Sequence, residues 1–153
     1  MRAVTVLPGG GLEVAERPRP EPGAGEVLVR VHGAGVNRAD LLQRAGRYPA
    51  PEGVPADIPG LEFAGLVEAL GRGAEGPPVG SAVFGITAGG GQAEYLAVPA
   101  GQCTRVPSDL DLVAAGGVPE VRFFHDGTSL LHSSDSACVI TGQWNNSPYV
   151  LRA

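Results

Sequence analysis

Glycine and proline are so frequent in this chain that they limit the length of every regular element it can form. The 153 residues include 24 glycines and 14 prolines, about a quarter of the chain. Short apolar runs lie between their clusters, and 43% of all residues are hydrophobic. Because this apolar content is too high for a low-complexity disordered chain, the pattern predicts short β-strands joined by many tight turns.

The charge pattern argues against a nucleic-acid or membrane partner. All 11 basic residues are arginines scattered along the chain, and the formal net charge is −5. A nucleic-acid-binding surface would concentrate its basic residues in one patch. No apolar run approaches the ~20 residues of a membrane span, and the N-terminus lacks the apolar core of a signal peptide. We therefore expect a cytoplasmic protein whose two cysteines, Cys103 and Cys138, are free thiols.

Alternating apolar residues between the turn clusters predict a series of strands. These cover residues 2–7, 11–18, 25–36, 81–86 and 93–100. Residues 60–71 fit a helix or a strand by their periodicity, and the glycines at both ends and in the middle favour the strand. In the third strand, Gly33 and Gly35 indicate a bend or the close approach of another backbone.

The segment VNRADLLQRAGRYP, residues 36–49, predicts a helix among these strands. Leu41 and Leu42 give a short apolar stripe, and Gly46 is a suitable residue for ending the helix. Asn37 stands where it can cap the first turn. It can also orient a ligand through its amide, and the residues by themselves leave both roles open.

The composition changes near residue 120. Residues 1–119 hold 22 of the 24 glycines and 13 of the 14 prolines, whereas five of the seven serines follow. We therefore divide the chain into a domain of residues 1–120 and a tail of residues 121–153. The tail is of unassigned origin but β-rich, with strand-like segments VRFF, SACVITGQW and YVLR. Just before the division, residues 109–118 predict a helix with Ser108 as its cap.

Four motifs, in order, resemble the N-terminal, GroES-like catalytic domain of the medium-chain dehydrogenase/reductase superfamily. They are GEVLVRVHGAGVNRADLLQRAGRYP, IPGLEFAGLVEALG, GGGQAEYLAVPAG and the Pro-Glu pair at 119–120. The nearest branch is the quinone oxidoreductases, which include the ζ-crystallin-like enzymes. The resemblance implies a mainly β fold with short helices, built as a partly open β-barrel. No glycine fingerprint of a Rossmann domain follows residue 120, so we expect that domain to be absent and the enzyme to be incomplete in this chain.

The same resemblance bears on metal binding. Zinc-dependent members of the superfamily carry a Cys-His pair near the position of Asn37 and Arg38. They carry Gly-His-Glu where this chain has Gly60, Leu61 and Glu62. Zinc requires thiolate, imidazole or carboxylate donors, and the side chains of asparagine and leucine do not supply them. We expect no metal, and we expect Glu62 to belong to a buried hydrogen-bond network rather than to act as an acid or base.

The resemblance implies a zinc-independent oxidoreductase that transfers a hydride from NADPH to a quinone. A quinone is electron-poor, so the protein has only to hold donor and acceptor face to face. By this resemblance, Asn37 and Tyr48 are the predicted catalytic residues, and Asn37 and Asp40 are the predicted cofactor-binding residues. Tyr48 could stack on a planar quinone, donate to its oxygen, or pack within its own loop.

The partners that follow are a small-molecule quinone or enone, with the protein as a monomer or weak homodimer. Two alternative functions stay open. One is an inactive, truncated β-barrel that serves as a binding or remnant module, since the pyrophosphate of NADPH would lack its helix N-terminus. The other is an enoyl or alkenal reductase of the same superfamily.

Overall fold

The computed structural model describes residues 1–119, 139–144 and 147–152, and this part of the chain is mainly β-structure. Its strands are β1 (Arg2–Val6), β2 (Leu12–Glu16), β3 (Glu26–Gly33), β4 (Glu62–Leu70), β5 (Ala82–Ile86), β6 (Tyr95–Pro99), β7 (Thr104–Arg105), β8 (Val139–Trp144) and β9 (Ser147–Arg152). The helix α1 (Arg38–Arg44) lies between β3 and β4. The prediction of short strands and many turns is confirmed. Within the described ranges, no helix is both long and apolar enough to cross a membrane.

Five strands form one antiparallel sheet in the order β6-β3-β4-β5-β7. This order is linear, so the sheet does not close on itself within the described part of the chain. The hairpin of β1 and β2 is attached to it by an isolated bridge between Ala3 and Ala93. The result agrees with the predicted mainly β, partly open architecture.

The central strand β4 resolves the ambiguity of residues 60–71 in favour of a strand. Phe63 belongs to the larger buried cluster, whereas its neighbour Ala64 belongs to the smaller one. Both faces of β4 are therefore covered, and a strand buried on both faces loses the alternation that identifies a strand in sequence. Gly65 is glycine because the strands approach closely here: a Cβ would lie 2.8 Å from Cγ1 of Val29.

The larger cluster is built by β3, β4, β5 and β6 together with the residue after β6. It comprises Val27, Val29, Phe63, Val67, Val83, Leu96, Val98 and Ala100. The smaller cluster of Ala64, Phe84 and Ala115 packs against Leu110 and Leu112. The segment after β7 thus covers the second face of the sheet, although it is not helical throughout.

The predicted helix over residues 109–118 is wrong. Only Ala114–Gly117 forms a turn of 3-10 helix. The carboxylate of Asp111 accepts hydrogen bonds from the backbone N–H groups of Val113 and Ala114, at 3.0 and 2.9 Å, and so competes with the helical pattern. Two glycines lower the helical propensity further. Gly116 is needed for contact, since a Cβ there would lie 2.8 Å from the backbone nitrogen of Ala34.

The tail is described only in part. β8 and β9 form an antiparallel hairpin, which confirms strand structure for most of the last two predicted segments. The VRFF segment at 121–124 and the thiol of Cys138 lie outside the described residues. The division of the chain near residue 120 stays a prediction.

Cys103 is a free thiol that packs against the larger cluster. Burial raises its pKa from 9.0 to about 12. Since the thiolate is the reactive form, we expect native Cys103 to react with iodoacetamide at mildly alkaline pH roughly a hundredfold more slowly than the same thiol in the unfolded chain. Mass spectrometry of Cys138→Ala, which leaves one thiol, measures this rate. Labelling of the native protein at the unfolded rate would contradict the burial of this side chain.

The raised pKa of Cys103 also makes the stability of the fold depend on pH. The folded state holds the Cys103 proton more tightly than the unfolded state does, because its pKa is the higher of the two. The contribution of this thiol to stability is therefore fully present below pH 9, the ordinary value, and is lost progressively as the pH rises to about 12.

Candidate active site

The candidate site begins where β3 leads into α1. The predicted close approach of another backbone is confirmed at Gly33, whereas at Gly35 a side chain approaches instead. A Cβ on Gly33 would lie 3.0 Å from Cα of Val113, and one on Gly35 would lie 2.6 Å from Cδ of Glu62. Asn37 then takes the N-cap position of α1 with an extended backbone, and it forms a capping box with Asp40.

The end of α1 has the geometry expected for a helix that stops at glycine. Gly46 has a φ of 68°, and its N–H donates to the carbonyl of Gln43 at 2.9 Å. The N–H of Arg47 donates to the carbonyl of Leu42 at 2.8 Å. This pair of bonds is a Schellman motif, and it confirms the predicted end of the helix. It also fixes the direction in which the chain leaves toward Tyr48.

Asp40 joins the start of α1 to the start of β4. Its side chain is buried, and each of its carboxylate oxygens accepts a backbone N–H. Oδ2 accepts from Asn37 at 2.8 Å and Oδ1 accepts from Gly60 at 2.8 Å. The carboxylate thus has a structural role of its own. The predicted contact of Asp40 with a cofactor stays a prediction.

Glu62 is the second buried carboxylate of the site, with a relative exposure of 1%. Its Oε1 accepts a hydrogen bond of 2.8 Å from Nδ2 of Asn37. The expected place of Glu62 in a buried hydrogen-bond network is confirmed. Asn37, Asp40, Glu62 and the backbone of Gly60 form one connected set, which we call the Asn37 network.

Tyr48 lies apart from these hydrogen bonds. Its side chain is 39% exposed and follows the glycine that ends α1. Of the predicted site residues, the structure therefore brings Asn37 and Asp40 together directly. The role of Tyr48 as a substrate wall stays a prediction.

A cavity of about 430 Å³ opens beside the Asn37 network. Its walls come from β1, the end of β3 with the following loop, Val14 of β2, and residues 91–94. Val36 lines it, whereas its neighbour Asn37, Asp40 and Tyr48 do not. The predicted site residues lie next to this space and not within its walls.

The donor set around Asn37 does not fit zinc. The amide nitrogen of Asn37 is a hydrogen-bond donor to Glu62, and Leu61 has no donor atom for a metal. Within the described ranges, no group of three or more histidine, cysteine, aspartate or glutamate side chains is placed to hold a metal ion.

Sequence reasoning missed the bond between Asp40 and the N–H of Gly60, although each residue carried a signal. An aspartate three residues after an N-cap asparagine is typical of a capping box. Gly60 has a φ of 109°, a conformation that favours glycine. Neither signal says that the two residues meet, because they are 20 positions apart.

The sequence model of the alcohol dehydrogenase GroES-like domain matches residues 23–108, more than half of the chain. This chain belongs to that family. The matched part includes the Asn37 network and all strands from β3 to β7.

Curated relatives of this chain include quinone oxidoreductases and VAT-1-like proteins. A quinone oxidoreductase from Lama guanicoe is 37% identical over 150 residues, which covers 94% of this chain and 43% of that protein. The synaptic vesicle membrane protein VAT-1 homolog-like from Mus musculus is 34% identical over 122 residues, covering 78% of this chain and 29% of that protein. The resemblance to the N-terminal part of quinone oxidoreductases is confirmed.

Solved structures agree with this fold. The Pseudomonas syringae quinone oxidoreductase superimposes with a TM-score of 0.72 at 25% identity, covering 84% of this chain and 42% of that one. The Thermus thermophilus quinone oxidoreductase, solved also in complex with NADPH, superimposes with a TM-score of 0.65 at 34% identity. The match covers 80% of this chain and 38% of that one. The chain therefore spans less than half the length of these relatives.

Proposed function

We propose that this chain is the catalytic domain of a zinc-independent, NADPH-linked quinone oxidoreductase. One observation carries the proposal. Glu62 stands at the position of a zinc-site glutamate in the zinc-dependent members of the superfamily, and here the side-chain amide of Asn37 donates to it. Its carboxylate accepts from Nδ2 of Asn37 at 2.8 Å. A site built in this way suits a reaction that needs orientation of two partners and no Lewis acid. Relatives named quinone oxidoreductase support the choice of acceptor.

The residues of this chain contribute orientation to the reaction. The amide of Asn37 is held by Glu62, so it meets a ligand in one arrangement. Tyr48 offers a ring face and a hydroxyl from a half-exposed position, and either can contact a planar acceptor. The N–H of Asn37 at the start of α1 is not available to a phosphate, because the carboxylate of Asp40 already accepts from it. A bound reduced nicotinamide supplies the hydride, which with one proton converts the quinone to a hydroquinone.

Two exposed apolar side chains near Asn37 can favour a planar organic acceptor. Val36 and Leu41 are 73% and 58% exposed on either side of Asn37 and Asp40. These side chains offer contact area to an aromatic ring once it displaces water from them.

A titration with NADPH tests the proposal on the 153-residue chain. We expect weak thermal stabilisation that grows with the NADPH concentration, since a ligand that binds only the folded state keeps raising stability with the logarithm of its concentration above the dissociation constant. Asn37→Ala should weaken the effect, whereas Glu75→Ala, a surface carboxylate, should not change it. No shift at millimolar NADPH would contradict the proposal and favour a remnant or binding module.

A second assay separates the acceptors. Consumption of NADPH should be faster with a naphthoquinone than with an α,β-unsaturated aldehyde of similar size. The reverse order would favour an enoyl or alkenal reductase of the same superfamily.

A further inference from the structure

An asparagine amide is nearly symmetric in shape, and its two ends differ only in hydrogen bonding. The oxygen accepts and the nitrogen donates, so the neighbours decide which end points where. In this site the neighbour of the amide nitrogen is Glu62, whose carboxyl oxygen Oε1 accepts from it. The 2.8 Å contact between its Oε1 and Nδ2 of Asn37 therefore fixes the direction of the amide.

Glu62 is itself held in place. It is the first residue of β4 and pairs with Ile86 of β5. Its side chain lies against the backbone of Gly35, where a Cβ would be 3.0 Å from Cγ and 2.6 Å from Cδ of the glutamate. Only glycine leaves this space, so residue 35 and the carboxylate of Glu62 depend on each other.

The backbone and the side chain of Asn37 are held by two different carboxylates. Asp40 accepts from the backbone N–H, and Glu62 accepts from the side-chain nitrogen. Removal of Glu62 would leave the backbone hydrogen bond of residue 37 to Asp40 intact while taking away the acceptor of its amide nitrogen. The structure thus allows orientation to be tested separately from folding.

We propose that Glu62 is a positioning residue, which acts on the ligand only through the amide of Asn37. The inference rests on the proposed function for the identity of that ligand, a reduced nicotinamide nucleotide or its quinone acceptor. A fixed amide binds without first giving up rotational freedom, which is the gain that preorganisation brings to a binding site.

Nuclear magnetic resonance of the full chain with ¹⁵N-labelled asparagine tests the orientation directly. The sequence has three asparagines, Asn37, Asn145 and Asn146, so the spectrum contains few side-chain amide pairs. Asn37→Ala identifies the pair of interest. We expect the chemical shifts of the Asn37 side-chain NH₂ pair to differ from those of a solvent-exposed asparagine. Glu62→Ala should move these chemical shifts to the solvent-exposed values.

Glu68→Ala is the matched control, since Glu68 is on the same strand but pairs with Arg19 at 2.7 Å. It should leave the Asn37 pair unchanged. Gly35→Ala should move the pair by displacing Glu62. Should Glu62→Ala fail to fold, Glu62→Gln keeps the shape and an acceptor oxygen, and a smaller displacement of the pair is expected. An Asn37 pair that is unmoved in a folded Glu62 variant would overturn the proposal.

A double-mutant cycle tests whether Glu62 affects NADPH binding through Asn37. Glu62→Ala should raise the dissociation constant for NADPH about tenfold in the wild-type background, as expected for loss of one charge-assisted hydrogen bond, and should have no further effect beside Asn37→Ala. Equal effects in both backgrounds would overturn positioning through Asn37. If the wild-type chain does not bind NADPH, the proposed function fails, and the amide spectrum still decides whether Glu62 positions Asn37.

Discussion

Replacing Gly60 with alanine is expected to lower the free energy of unfolding by about 3 kcal/mol. The φ of this residue is 109°, and an added Cβ would lie 2.5 Å from the backbone nitrogen of Gln92 and 2.8 Å from the carbonyl carbon of Gly91. Those backbone atoms cannot retreat easily, because Gly91 and Gln92 donate hydrogen bonds to Gly60 and Pro59 at 3.0 and 2.9 Å. Urea denaturation measures the loss.

Gly53→Ala is the control that separates the contact from the backbone conformation. Gly53 has a φ of 84° but has nothing within 4 Å of an added Cβ. Its replacement should cost only the conformational strain, about 1 kcal/mol. Similar losses for the two variants would show that the crowding at Gly60 is not real.

Asp40→Ala is the second large effect, and we expect a loss of about 3 kcal/mol in the free energy of unfolding. The change removes the acceptor for two backbone N–H groups, those of Asn37 and Gly60, at a residue that is 5% exposed. Water does not readily reach donors in such a place, so each is left without a partner. Chemical denaturation of the full chain provides the measurement.

Asp111→Ala is a matched control for this variant. Asp111 also accepts two backbone N–H groups, those of Val113 and Ala114, but it does so in contact with solvent. Water can replace it, and we expect a loss of about 1 kcal/mol.

The local features of the fold could be predicted because their causes are local. The apolar periods of the strands and the glycine that ends α1 follow from a few neighbouring residues. The segment 60–71 was ambiguous because β4 is covered on both faces, so its sequence does not alternate. The helix predicted at 109–118 was wrong because the side chain of Asp111 takes hydrogen bonds that a helix would have used.

Residues of the candidate site could be predicted from the sequence, but the long-range hydrogen bonds between them could not. Asn37 and Asp40 stand three positions apart on a predicted helix start, so their association was visible. The bonds from Asn37 to Glu62 and from Asp40 to Gly60 join residues 25 and 20 positions apart. They exist only because α1 comes to lie beside the first residue of β4, which is a property of the tertiary structure.

The bond between Asp40 and the backbone of Gly60 has a consequence for amide hydrogen exchange. Gly60 lies in a loop, yet its N–H is donated to a buried carboxylate of α1. Exchange at this amide then requires the contact between Asp40 and Gly60 to open, and its protection reports how often α1 separates from this loop. The exchange rate of this one loop amide therefore measures how often the contact between α1 and the loop before β4 opens.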